Sequence, residues 1–137
     1  MIGNVAEFHE KFGLPLGTDD QLMQDPAAQE FRVKFLQEEL DELKEALATG
    51  DKVGAFDALL DLAYVAYGTA LFAGIDASQW HAGMHAVHSA NMAKVRVAKA
   101  EDSKRGSAFD VKKPAGWVGP ESRLKEILSW QLVKELT

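Results

Sequence analysis

The sequence predicts an all-helical chain, a bundle of four or five helices, on three observations. Leucines at positions 36, 40, 43 and 47 recur at heptad-like spacing. Residues from about Val53 to Gly74 form one long segment that is apolar on every side. No segment alternates apolar and polar residues as a half-buried strand would.

Asn4 followed by Glu7 reads as a capping box opening a short helix that ends at Gly13, and the Gly-, Pro- and Asp-rich stretch to Asp25 reads as loop. Asp25 caps the next helix, Pro26 takes its first position, and Gly50 closes it; its leucine stripe is taken as the inward face. The all-apolar segment is expected to be the central helix, surrounded by the others. Its length suits a membrane span, but Asp57 and Asp61 would each cost roughly 3 kcal/mol at the bilayer centre, so a span is rejected. Asp76 or Ser78 caps a fourth helix running to about Val97. A polar loop continues through Gly119, and Pro120 starts a final amphipathic helix carrying Leu124, Ile127, Leu128 and Leu132. The expected organisation is one domain over residues 1–137, with a core at 4–97, a basic loop at 98–119 and a C-terminal helix at 120–136.

Composition narrows the function classes. The absence of cysteine excludes disulfides, thiolate zinc sites and cysteine nucleophiles. The N-terminus carries charge from Glu7 onward with no unbroken apolar run, so it is not a secretory signal, and a cytoplasmic location is expected. Fifteen Lys and Arg against 21 Asp and Glu give a formal charge of -6, the wrong sign for a protein that grips nucleic acid by its phosphates. The bases are nevertheless concentrated: Lys94, Arg96, Lys99, Lys104, Arg105, Lys112 and Lys113 fall in one short stretch, an asymmetry that needs a reason.

The acids are also unevenly placed. In EELDELKE, residues 38–45, five of eight positions are acidic with a single Lys. At 100° per residue, Glu39 lies close to the leucine stripe and should be partly buried, while Glu38 and Glu42 share an adjacent face with Phe31 and Phe35. A Glu-rich run alone is ordinarily a solvated helix face. The next helix changes the balance, because Asp57 and Asp61 are the only charges between Ala55 and Gly74 and their spacing of four stacks them on one stripe. Two unpaired aspartates in an apolar helix cost several kcal/mol, and the segment supplies no Lys or Arg to meet them. Hard divalent ions such as Mg²⁺ or Mn²⁺ favour carboxylate oxygens converging from two elements, and they would let a polyanionic substrate approach an acidic protein.

This pattern resembles the all-helical nucleoside triphosphate pyrophosphohydrolases of the MazG-like superfamily, whose EExxE motif is followed on the next helix by ExxD. Here the motif is Glu38-Glu39-x-x-Glu42, then Asp61. The resemblance is to the bacterial and phage branch with ANxxK and KPxGW elements, matched by Ala90 to Lys94 and by Lys113 to Trp117. The early EFH ending at His9, DLAYVAYG at 61–68 and GID at 74–76 are similar too. One departure stands out: the Glu expected three residues before Asp61 is Ala58, with Asp57 one position earlier.

The resemblance implies a Mg²⁺- or Mn²⁺-dependent enzyme with two or more ions per site, held by Glu38, Glu39, Glu42 and Asp61, with Asp57 an imperfect stand-in for the missing Glu. It implies cleavage of a nucleoside triphosphate to monophosphate and pyrophosphate, with a deoxynucleotide such as dGTP or dUTP as the expected substrate and Glu39 as the base. Lys94 would meet phosphate and Asn91 phosphate or sugar, and the loop from Lys112 through Lys113 to Trp117 could close over the substrate. Phe31, Phe35 and Trp117 are candidates to stack on the base. A homodimer or homotetramer is expected, with no nucleic-acid or membrane partner.

Two other readings compete. His81, His85 and His88 fall on one helical stripe with zinc-compatible HxxxH spacing, but Met92 continues the stripe, which favours packing. A non-catalytic helical adaptor, associating through its leucine stripes, leaves Asp57 and Asp61 unexplained.

Overall fold

The computed structural model describes residues 1–130 and is predominantly helical. Six α-helices follow in order among the described residues: α1 (Ile2–Lys11), α2 (Gln21–Gln24), α3 (Pro26–Ala48), α4 (Lys52–Phe72), α5 (Ala77–Met92) and α6 (Glu121–Leu128). Two-residue strands β1 (Val95–Arg96) and β2 (Val111–Lys112) lie between α5 and α6. The chain forms two compact units, residues 1–77 and the residues from Ser78 onward.

The first unit is built on the α3–α4 hairpin. The Asp25 side chain accepts from the Ala27 amide at 3.0 Å and Pro26 occupies the first turn, so α3 starts where the sequence places it. Gly50, at φ 70°, takes the left-handed conformation that ends the helix cheaply. Asp51 then accepts from the Gly54 amide at 2.9 Å and caps α4. With so short a link the two helices run antiparallel, and α1 and α2 pack against the pair.

Several expectations give way here. No side chain caps α1: the helix begins at Ile2, with Asn4 already inside its first turn and its amide donating to the Met1 carbonyl. The loop before Asp25 contains α2, capped by Asp20, and a single bridge from Asp20 to Ala73. The leucine stripe faces inward only in part: Leu36 and Leu43 are half-buried and Leu40 and Leu47 exposed, while Ala28, Arg32, Glu39 and Ala46 are buried. What α3 buries is set by the stripe that meets α4, not by its greasiest residues. Nor is α4 enclosed: Val53, Phe56, Leu59, Leu60 and Tyr64 are exposed, since its packing partners in this unit cover only part of its circumference. By length and mean hydropathy (1.3) α4 could cross a bilayer, yet it is the core helix of this unit and carries Asp57 and Asp61.

In the second unit α5 ends at Met92, short of Val97, and the chain turns into β1. The antiparallel β1–β2 pairing, Val95 with Lys112 and Arg96 with Val111, is the strand content the sequence did not announce. The loop between them is tied together by Asp110, which accepts from the Ser103 hydroxyl at 2.6 Å, Arg105 at 2.9 Å and the Val111 amide at 2.8 Å. Those bonds hold its carboxyl down at about 2. Gln79, buried on α5, donates to the Ile127 carbonyl of α6 at 3.2 Å. Pro120 precedes α6 as its cap residue, and Leu132 lies outside the described residues.

Candidate functional site

Carboxylate oxygens of Glu39 and Glu42, one turn apart on α3, and of Asp61 on α4 lie within 4.8 Å of one another. Glu39 is 9% exposed and its Oε2, buried, has no hydrogen-bond partner. Desolvation pushes the Glu39 carboxyl up to about 7, aided by the hydrogen bond and charge of Glu42 and the charges of Asp61 and Asp57. Desolvation also raises Asp61, with Asp57 and Glu42 adding to it. A buried, orphaned carboxylate oxygen beside two further carboxylates has two stable outcomes, a proton or a cation. Among the described residues, no Lys or Arg forms an ion pair with any of the three. An all-oxygen donor set of this charge fits Mg²⁺ or Mn²⁺.

The other expected acids fall outside this trio. Glu38 is exposed and lines a shallow cavity of about 440 Å³ with Phe31, Lys34 and Phe35. Glu42 therefore sides with Glu39 and not, as rotation from the leucine stripe suggested, with Glu38. Asp57 is exposed and acts on the trio through its charge. Ala58, at 1% exposure, occupies the buried position where the superfamily pattern has its Glu.

One turn from Asp61, the nearest buried cation is already engaged. Arg32, 5% exposed, donates through Nε to the Thr69 hydroxyl at 3.0 Å and through Nη2 to the Val65 carbonyl at 2.9 Å. Its guanidinium also lies over the rings of Phe31, Phe35 and Phe72, at 5.5, 5.5 and 4.8 Å. Seven residues before Glu39 on the same stripe, Arg32 locks the register in which α3 presents its acids to α4. Buried His9 donates through Nδ1–H to the Pro15 carbonyl, 2.5 Å away. A Cβ on Gly68 would stand 2.7 Å from Arg32 Nη2 and 2.9 Å from His9 Nε2, so this close approach requires glycine. Sequence reasoning missed Arg32; its one signal was the i, i+7 relation to Glu39.

The basic candidates belong to the second unit. The Trp117 indole Nε1–H donates to the Ala90 carbonyl at 2.7 Å, and the ammonium groups of Lys94 and Lys113 lie 5.3 and 4.8 Å from its ring centroid. Asn91 and Lys112 are exposed near the same elements. His81 and His85 line a cavity of about 720 Å³ with Ser89, Arg123 and a floor of alanines, whereas His88 is exposed and outside that lining.

The all-α fold and the family match together place the chain in a class, the MazG-like all-α nucleotide pyrophosphohydrolase superfamily. Within that class, the chain belongs to the phosphoribosyl-ATP pyrophosphohydrolase family, whose model matches residues 5–91. The match takes in Glu39, Glu42, Asp61 and Asn91, and it ends before Lys94, Lys112, Lys113 and Trp117. No curated protein sequence matches the chain.

Proposed function

We propose that the protein is a divalent-metal-dependent nucleotide pyrophosphohydrolase that cleaves a nucleoside triphosphate to the monophosphate and pyrophosphate, with a deoxynucleotide such as dGTP or dUTP as substrate. The observation that carries this reading is the Glu39–Glu42–Asp61 trio with its orphaned Oε2. Glu39, Glu42 and Asp61 would hold Mg²⁺ or Mn²⁺, with Glu38 and Asp57 as outer acids for a further ion. When bound, the ion supplies neutralising charge for the phosphate chain and makes water more acidic.

The chain's own residues do the rest. Glu39, the most buried carboxylate of the trio, is assigned as the base that accepts a proton from the attacking water. Phe31 and Phe35 border the groove beside Glu38 and offer apolar faces to a base. Asn91, Lys94, Lys112 and Lys113 are assigned to phosphate and sugar by the motif resemblance. The exposed row Val53, Phe56, Leu60 and Tyr64 on α4 supports self-association into a homodimer or homotetramer. A cytoplasmic setting suits a substrate drawn from the nucleotide pool.

The test is a panel of ribo- and deoxynucleoside triphosphates, and phosphoribosyl-ATP, incubated with Mg²⁺ or Mn²⁺ and scored for monophosphate and pyrophosphate together. Equal amounts of the two products, lost in EDTA, are expected; release of orthophosphate instead would contradict the reaction.

A further inference from the structure

Lys94 and Lys113 are 19 positions apart in sequence, and the strand pairing explains how they meet. Val95 pairs with Lys112 in an antiparallel ladder, so the next step outward sets Lys94 beside Lys113. Trp117 sits where that ladder opens, anchored from two sides: its indole Nε1–H is bonded to the Ala90 carbonyl on α5, and its amide donates to the Pro114 carbonyl at 3.1 Å. Gly116, at φ 77°, makes the turn that brings the ring back. Both ammonium groups lie over this one ring, so they are no more than about 10 Å apart. Among the described residues neither forms an ion pair with a carboxylate. The indole face offsets part of their mutual repulsion, and an anion between them would offset the remainder.

We infer that Trp117 is a positioning residue that gathers Lys94 and Lys113 into a preformed site for a diphosphate group, one that binds without metal. The choice of diphosphate as the anion rests on the reaction proposed above; the gathering of the two lysines does not. Trp117 on this account is committed to its lysines and to Ala90, and is not a platform for the base.

The experiment is calorimetric titration of inorganic pyrophosphate into the full chain in EDTA at low ionic strength. The wild type and Asp61→Asn should bind alike. Trp117→Ala should bind about tenfold more weakly, and Trp117→Phe, which keeps a ring face but not the Nε1–H donor, should recover part of the loss. The double variant Lys94→Gln/Lys113→Gln leaves the indole in place and should lose binding outright. Absence of metal-free pyrophosphate binding in the wild type, or undiminished binding in the double variant or in folded Trp117→Ala, would overturn the inference. Because the readout is metal-free binding, it stands apart from hydrolysis. Nucleotide cleavage with no such binding sinks only this inference; binding through Trp117 with no cleavage sinks only the proposed reaction.

Discussion

Replacing Glu39 by Gln should stabilise the metal-free protein while removing the residue most needed for metal. The Glu39 carboxyl stands at about 7 in the folded chain against an ordinary 4.5, chiefly from desolvation. Between those two pH values the folded state binds more protons than the unfolded state, so stability falls as pH rises through the window. At roughly 1.36 kcal/mol per unit, the full shift would be about 3 kcal/mol; solvent access at exposed Glu42 and Asp57 reduces this to about 1–2 kcal/mol. Gln is nearly isosteric, carries no charge, and its NH₂ can donate to Glu42 or Asp61 where Oε2 now has no partner. In thermal unfolding followed by circular dichroism in EDTA, Glu39→Gln should melt about 3–8 °C above wild type at pH 8, with the gap closing by pH 5. Adding Mn²⁺ should raise the wild-type midpoint and leave the variant's where it was. A variant that melts at or below wild type at pH 8 in EDTA would refute the argument that these carboxylates strain one another.

The remaining expectations concern the frame around the trio. Arg32→Met removes two buried bonds, to Thr69 and Val65, and the guanidinium's contacts with Phe31, Phe35 and Phe72, while the Val65 carbonyl keeps the Thr69 hydroxyl, so denaturant unfolding should show a loss of about 1–3 kcal/mol. Gly68→Ala drives a methyl against Arg32 and His9 and should cost about 1–3 kcal/mol, with weaker Mn²⁺ binding because the α3–α4 register shifts; an unchanged midpoint would show that Arg32 moves freely aside. Leu60→Asp places a charge in the exposed α4 row and should lower the sedimenting mass without loss of helicity, whereas an unchanged mass would remove that row from any subunit contact.

The sequence disclosed what local chemistry decides. Asp25 and Pro26 located the start of α3 because a cap and a fixed φ act within one turn. Gly50 marked the end of α3 for the same reason, whereas the Asp51 cap of α4 went unread. The burial of Glu39 was visible from helical rotation. Hidden from it were matters settled between distant segments. The inward face of α3 follows the stripe Ala28, Arg32, Glu39 and Ala46 because α4 lies there, and of the four leucines only Leu36 and Leu43 border it. A lone arginine is ordinarily solvated, so nothing nearby in sequence marked Arg32 as the pin between the helices. The ladder joining Val95 to Lys112 is two residues long and depends on contact across the loop of residues 97–110, too little pattern to recognise. Trp117 was legible as part of a motif, but its partners Ala90, Lys94 and Lys113 were not.

The central claim is that Glu39, Glu42 and Asp61 together hold a divalent cation. Calorimetry of Mn²⁺ binding to the wild type and to Asp61→Asn, each checked for an intact helical spectrum, addresses it without reference to any substrate. Saturable binding in the wild type, lost or weakened by at least about tenfold in Asp61→Asn, is the predicted result. Equal Mn²⁺ affinity in the two proteins, or none in the wild type, would contradict it.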